Sequence, residues 1–238
     1  MNEVVMDRTM SQNVSTPYDS LLSVAKGRYS CRAFQKRPVP RTDIDRILEV
    51  ARTAPSDCNT QPASMFILSG SALEALRAEM YEAAATGRER TSDVPPIGTY
   101  TGVFQERRRE CGLSLYNAVG IQKGDREASG RQALENFRFF GAPHLAVVTV
   151  HNDLAERGLF DTGIYLGHFL LAAQALGVAA VPQGAIAHYA DVIRRHAPIA
   201  PELRVVCGVS FGYEVKDHAA NSFRTDRVEI ADSVVFVD

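Results

Sequence analysis

Pro143-His144-Leu145-Ala146-Val147-Val148-Thr149-Val150, then Leu159 to Leu176, then Gly177-Val178-Ala179-Ala180-Val181: this stretch decides the architecture of the chain. Its first run is dominated by Val and other apolar residues, the composition of a buried strand. Residues 159–176 are apolar almost all round (Ile164, Leu166, Phe169, Leu170, Leu171, Leu176), which predicts a buried central helix. Gly177 stops that helix, and 178–181 reads as a further strand. A sheet with a helix laid against it follows.

The same reading extends outward. Downstream it predicts a helix near 190–195, a strand over 203–209, and a short fifth strand over 234–237 ending an extended tail. Upstream, 17–26 reads as a short helix with Leu21, Leu22 and Ala25 on one face. Thr42-Asp43-Ile44-Asp45 resembles a capping box, opening a helix with Ile44, Ile47, Leu48 and Ala51 at helical spacing. Pro55 ends it. Residues 64–68 read as a buried strand, Gly70 as a turn, and Ser71-x-x-Glu74 as the cap of the next helix. Residues 86–101 are rich in Gly, Pro, Arg and Thr and read as a loop, followed by helices over 105–116 and 126–137. The polar residues 1–16 read as a disordered leader, and 17–238 as a single domain. The predicted fold class is α+β, a mixed central sheet with helices on both faces.

The whole sequence, 238 residues with 45% hydrophobic and 23% charged, has an ordinary globular balance. Its formal charge of −2 gives no electrostatic case for nucleic acid or an anionic membrane. No apolar run approaches the roughly 20 residues of a membrane span. The four cysteines are scattered without a Cys-x-x-Cys pair, which points to a reducing cytoplasm.

Chemistry concentrates in two segments. In Arg28-Tyr29-Ser30-Cys31-Arg32-Ala33-Phe34, an extended backbone turns Arg28, Ser30 and Arg32 to one side. Such a row suits an anion, because the guanidinium fork matches phosphate and a hydroxyl adds a donor. Ala54-Pro55-Ser56-Asp57-Cys58-Asn59-Thr60-Gln61-Pro62 is a turn crowded with short amides and hydroxyls, suited to a flat ligand with polar edges. A second basic cluster, Asn221-Ser222-Phe223-Arg224-Thr225-Asp226-Arg227, closes the chain. Together they suggest a phosphorylated ring cofactor.

Other patterns weigh less. Gly208-Val209-Ser210-Phe211-Gly212 matches a hydrolase nucleophile elbow, but a polar loop follows where that elbow needs a helix. The six His residues lack metal-ligand spacing, and His144 reads as a structural hydrogen-bonder. No Gly-x-Gly-x-x-Gly follows a strand. Arg107-Arg108-Arg109 fans round a helix as a solvated face, with a substrate-facing Arg as the alternative.

Taken in order, Arg-x-Ser-x-Arg-x-Phe, Ala-Pro-Ser-x-x-Asn-Thr-Gln-Pro, Gly141-Ala142-Pro143, Pro182-Gln183-Gly184 and the 221–227 tail resemble the nitroreductase family of flavin-dependent oxidoreductases. Within it the chain is most similar to the nitrobenzoate-reductase-like branch, on Arg107 to Glu110, Leu115-Tyr116, Asp125-Arg126 and Asn136 to Pro143. The resemblance implies an intertwined homodimer with FMN at the subunit interface and NADH or NADPH as electron donor. It implies that Arg28, Ser30, Arg224 and Arg227 hold the FMN phosphate and that Arg32 stabilises the pyrimidine edge. Pro55, Ser56 and Asn59 would reach the flavin of the partner subunit. Asn136 would contact the ring, with Gln183 and Gly184 beside N5.

The implied reaction is ping-pong hydride transfer through flavin N5 to a nitroaromatic or similar acceptor, with no protein general acid required. The rival readings are reduction of another acceptor on the same fold, such as a quinone or a halogenated ring, and a non-catalytic flavin-binding module. One departure is Ala63, where many members carry Trp.

Overall fold

The computed structural model describes residues 16–238, so the expected leader lies outside the described residues except for Thr16. Four strands form one sheet: β1 (Ala63–Ser69), β2 (His144–His151), β3 (Ala179–Gln183) and β4 (Leu203–Gly212). Their spatial order is β1-β2-β4-β3, and every neighbouring pair is antiparallel. The parallel component of the mixed sheet is one bridge, Ser30 to Ala180.

The pleat of β2 explains how helices cover both faces. Alternate residues point to opposite sides. Leu145 and Val147 meet Leu73, Leu76 and Met80 of α3 (Gly70–Ala85) and Ile193 of α7 (Ala190–His196). Ala146 and Val148 meet Ile44 and Ile47 of α2 (Arg41–Ala51) and Phe169 of α6 (Ala155–Ala175). Burial on both sides makes this strand read as a continuous apolar run. The remaining helices are α1 (Pro17–Gly27), α4 (Gly102–Ala118) and α5 (Arg126–Leu134).

Several expectations are corrected. The tail forms no strand: Val235, Phe236 and Val237 are 85%, 81% and 90% exposed. A valine run becomes a strand only where a free sheet edge receives it. α2 begins at Arg41 behind Pro40, with no side-chain cap, so Thr42 sits inside the helix. α3 starts after Ser69, again without a side-chain cap. The true capping box is Thr16 with Asp19 at α1: each backbone N–H donates to the other side chain at 3.1 Å. α5 ends at Leu134 and continues as a 3-10 segment, Glu135–Gly141, in which Phe139 and Phe140 take left-handed φ values of 56° and 51°. α6 is only half-buried along Tyr165, Leu166 and Leu170, and Phe160 is 65% exposed. Its apolar surface is wider than one sheet face can cover. Among the described residues, no helix is long and apolar enough to cross a membrane.

Candidate functional site

After α1 the backbone runs extended along the edge strand β3, with Cys31 N–H donating to Ala180 O at 3.3 Å. The extended run alternates its side chains, so Arg28, Ser30 and Arg32 line one cleft of about 600 Å³. The returning tail supplies the opposite wall, bringing Arg224 and Arg227 to the same cleft. Asn221 makes this return possible. It is 3% exposed; its Nδ2 donates to Ala33 O and Val215 O, both at 3.0 Å, and its Oδ1 accepts from Arg32 N–H at 2.7 Å. Aromatic rings finish the wall, with Arg224 stacked 3.6 Å over Tyr29 and Arg32 5.4 Å from the Phe223 ring. The Tyr29 hydroxyl donates to Glu214, and burial together with that bond raises its pKa.

The cleft is cationic. None of Arg28, Arg32, Arg224 and Arg227 has a salt-bridge partner among the described residues. Arg32 instead donates from Nη1 to Ser30 O at 3.0 Å. Burial lowers the Arg28 pKa, and the charge of Arg227 lowers it further. Burial also lowers Arg32. Converging, partly desolvated guanidiniums repel one another until an anion joins them. A phosphate with its three acceptor oxygens fits this donor set.

The structure places the other predicted residues elsewhere. Pro55 and Ser56 line a separate cleft of about 230 Å³ with Asp161 and Tyr165 of α6. Its loop is tightly held: Ser56 Oγ accepts from Gln61 N–H at 2.9 Å, and buried Asp161 Oδ2 accepts from Asp57 N–H at 3.1 Å. Cys58, Asn59 and Gln61 take positive φ values of 48°, 57° and 48°, a strain typical of ligand clamps. Within one chain these residues do not line the arginine cleft.

Gln183 ends β3, three residues beyond the Ser30 bridge to Ala180 and so about 10 Å along the strand. Its amide is fixed at both ends. Nε2 donates to Asn136 O at 2.9 Å and Asn136 Oδ1 at 3.3 Å, while Oε1 accepts from Ser210 Oγ. Ser210 is fully buried inside β4, which excludes the nucleophile elbow. Gly184 is exposed, with open space where a Cβ would stand. His144 is structural, as expected: Nε2 accepts from Val39 N–H at 2.9 Å, so Nδ1 carries the proton and donates to Ser69 Oγ. Burial lowers its pKa.

Sequence reasoning missed Asn221 as the staple, Tyr29 as a stacking platform, and Cys111, which enters the cleft from α4. Two of the three Asn221 bonds reach Arg32 and Ala33, nearly two hundred positions away, and no local pattern signals that.

An antiparallel α+β sheet thus carries a cationic cleft at its edge. The chain belongs to the nitroreductase family: a family model described as Nitroreductase family matches residues 25–213. A nitroreductase NfnB of Mycolicibacterium smegmatis is 35% identical over 212 residues, covering 89% of this chain and 90% of that protein. A 4-nitrobenzoate reductase of Pseudomonas putida is 30% identical, covering 88% and 92%. The crystal structure of the FMN-dependent nitroreductase NfnB from Mycobacterium smegmatis in complex with NADPH superimposes with a TM-score of 0.88. It is 34% identical and covers 93% of this chain and 99% of that one.

Proposed function

We propose that this chain is an FMN-dependent NAD(P)H oxidoreductase that reduces nitroaromatic or related acceptors by a ping-pong mechanism. The observation that carries the reading is the cleft in which Arg28, Ser30, Arg32, Arg224 and Arg227 converge, with no salt-bridge partner among the described residues for any of the four guanidiniums. Arg28, Ser30, Arg224 and Arg227 hold the FMN phosphate, and residues 17–238 act as one FMN-binding domain. Bound FMN supplies hydride transfer at N5. Arg32, held by the Asn221 and Ser30 contacts, presents fixed positive charge to the cofactor's pyrimidine edge. Ser210 and Asn136 lock the Gln183 amide beside the exposed Gly184. Pro55, Ser56 and Asn59 serve the partner subunit of a homodimer, which accounts for their distance from the arginine cleft of their own chain. The four cysteines are free, in keeping with a reducing cytoplasm.

The test is spectroscopic. Purified protein reconstituted with FMN should show a bound-flavin spectrum that bleaches anaerobically with NADPH or NADH and returns when a nitroaromatic is added. Protein that retains no flavin overturns the site assignment. Bound flavin that neither nucleotide reduces overturns the NAD(P)H-dependent activity and leaves the binding module.

A further inference from the structure

Tyr29 stands between two side chains of opposite charge. Its ring lies 3.6 Å under the Arg224 guanidinium, and its hydroxyl donates to the Glu214 carboxylate. Glu214 is fixed there by the backbone around it. Phe34 forms a bridge with Glu214, Gln35 N–H donates to Tyr213 O at 2.8 Å, and Val215 N–H donates to Ala33 O at 3.0 Å. The Glu214 main-chain oxygen also accepts from Gln35 Nε2 at 2.8 Å. A carboxylate is therefore held against the same segment that lines the cationic cleft.

Arg224 is held as well. Its Nη1 donates to Asn221 O and to Phe223 O, both at 2.8 Å. Stacking on an aromatic face leaves the in-plane N–H edges of a guanidinium free for other partners. Nε and Nη2 have no hydrogen-bond partner among the described residues, so they remain for an anion in the cleft.

An acid on the same ring is a hazard to such a site, because Glu214 can compete with a phosphate for Arg224. The charges of both reach the Tyr29 hydroxyl, with opposite effects on it. Yet among the described residues Glu214 and Arg224 form no salt bridge, and neither does Asp226, the acid that lines the cleft. The phenol accounts for Glu214: an O–H donated to a carboxylate is a charge-assisted bond that occupies the acid without spending a guanidinium.

We propose that Tyr29 is a positioning residue that reserves Arg224 for the cofactor phosphate, its ring carrying the guanidinium while its hydroxyl engages the competing acid, Glu214. This rests on the proposed flavoenzyme reading and deepens it. The preference for a phosphorylated over an unphosphorylated flavin then depends on a pair of residues outside the set that holds the phosphate.

The test measures dissociation constants of FMN and riboflavin for the apoprotein by flavin fluorescence, in the parent, Tyr29→Phe, Glu214→Gln and the double variant. Tyr29→Phe keeps the ring under Arg224 and frees Glu214. Its preference for FMN over riboflavin should fall about fivefold, the scale of one contact to an exposed guanidinium. Removing the acid as well should restore the preference, so that the double variant matches Glu214→Gln alone. A merely structural role would weaken both flavins alike, and that result, or an unchanged preference in Tyr29→Phe, overturns the proposal. So does a fall that Glu214→Gln fails to restore. Should the parent bind neither flavin, the flavoenzyme reading fails. Calorimetric titration of the same four proteins with inorganic phosphate then still decides the role of Tyr29: loss in Tyr29→Phe with recovery in the double variant supports it, and equal affinities overturn it.

Discussion

At Arg28 the chain holds a charge that burial and the neighbouring Arg227 both disfavour. An anion relieves both, so Arg28→Ala should weaken FMN binding by about 1–3 kcal/mol, and the exposed Arg227 should contribute less. Fluorescence titration of the apoprotein measures both, and full flavin retention in Arg28→Ala would sink the phosphate assignment. Asn221 carries a different load. Truncating it to Ala strands the Arg32 N–H and two carbonyls, so stability should fall by about 2–4 kcal/mol. Asn221→Asp keeps the acceptor for Arg32 N–H but sets a buried carboxylate oxygen against the Ala33 and Val215 carbonyls, so its urea midpoint should fall at least as far as that of Asn221→Ala. The contrast marks what was legible at this scale. The alternation of Arg28, Ser30 and Arg32 is written in the sequence because an extended backbone has a fixed period. The function of Asn221 depends on where a distant tail returns, so no spacing reveals it.

Among the elements, β2, β3 and β4 were legible because strands buried on both faces read as apolar runs. Helix starts were less so. Thr42 and Ser71 sit in capping patterns, yet the chain enters α2 through Pro40 and α3 through Ser69 and Gly70, since an N-cap depends on backbone direction as well as residue type. The 234–237 run has strand composition, yet it pairs with no strand of the described sheet, not even at the outer edge of β1. β2 also carries a pH dependence. His144 is neutral in the fold because Nε2 must accept from Val39 N–H, and burial puts its pKa below the value near 6.5 of an unfolded chain. Below about pH 6.5 the unfolded state therefore binds a proton that the folded state refuses. Stability should fall as the pH drops through that value and stay level above it. His188, lowered by burial and then by Arg90, adds in the same direction. Urea midpoints between pH 5 and 8 should show the slope, and His144→Gln should reduce it. An unaltered slope in that variant would remove His144 as its source.

For the whole molecule, the question is where its leftover apolar surface goes. Phe160 on α6, Ile230 and the 235–237 run are each 65% exposed or more, and α6 is only half-buried against the sheet despite being apolar almost all round. At about 25 cal/mol per Å² of apolar surface, leaving these groups in water forgoes several kcal/mol that a second copy can recover. The loop at Pro55, Ser56 and Asn59 adds a chemical reason, because its clamp-like strain serves no ligand in the arginine cleft of its own chain. The homodimer of the proposed function answers both: tail and α6 gain cover, and the loop gains a partner's flavin to hold. Removing residues 233–238 should then weaken dimerisation and lower flavin affinity together, although no residue of the arginine cleft has been touched. Light scattering across a dilution series, run beside FMN titration, reads both quantities. A truncated protein that stays dimeric with unchanged flavin affinity would show that the tail is not what joins the subunits.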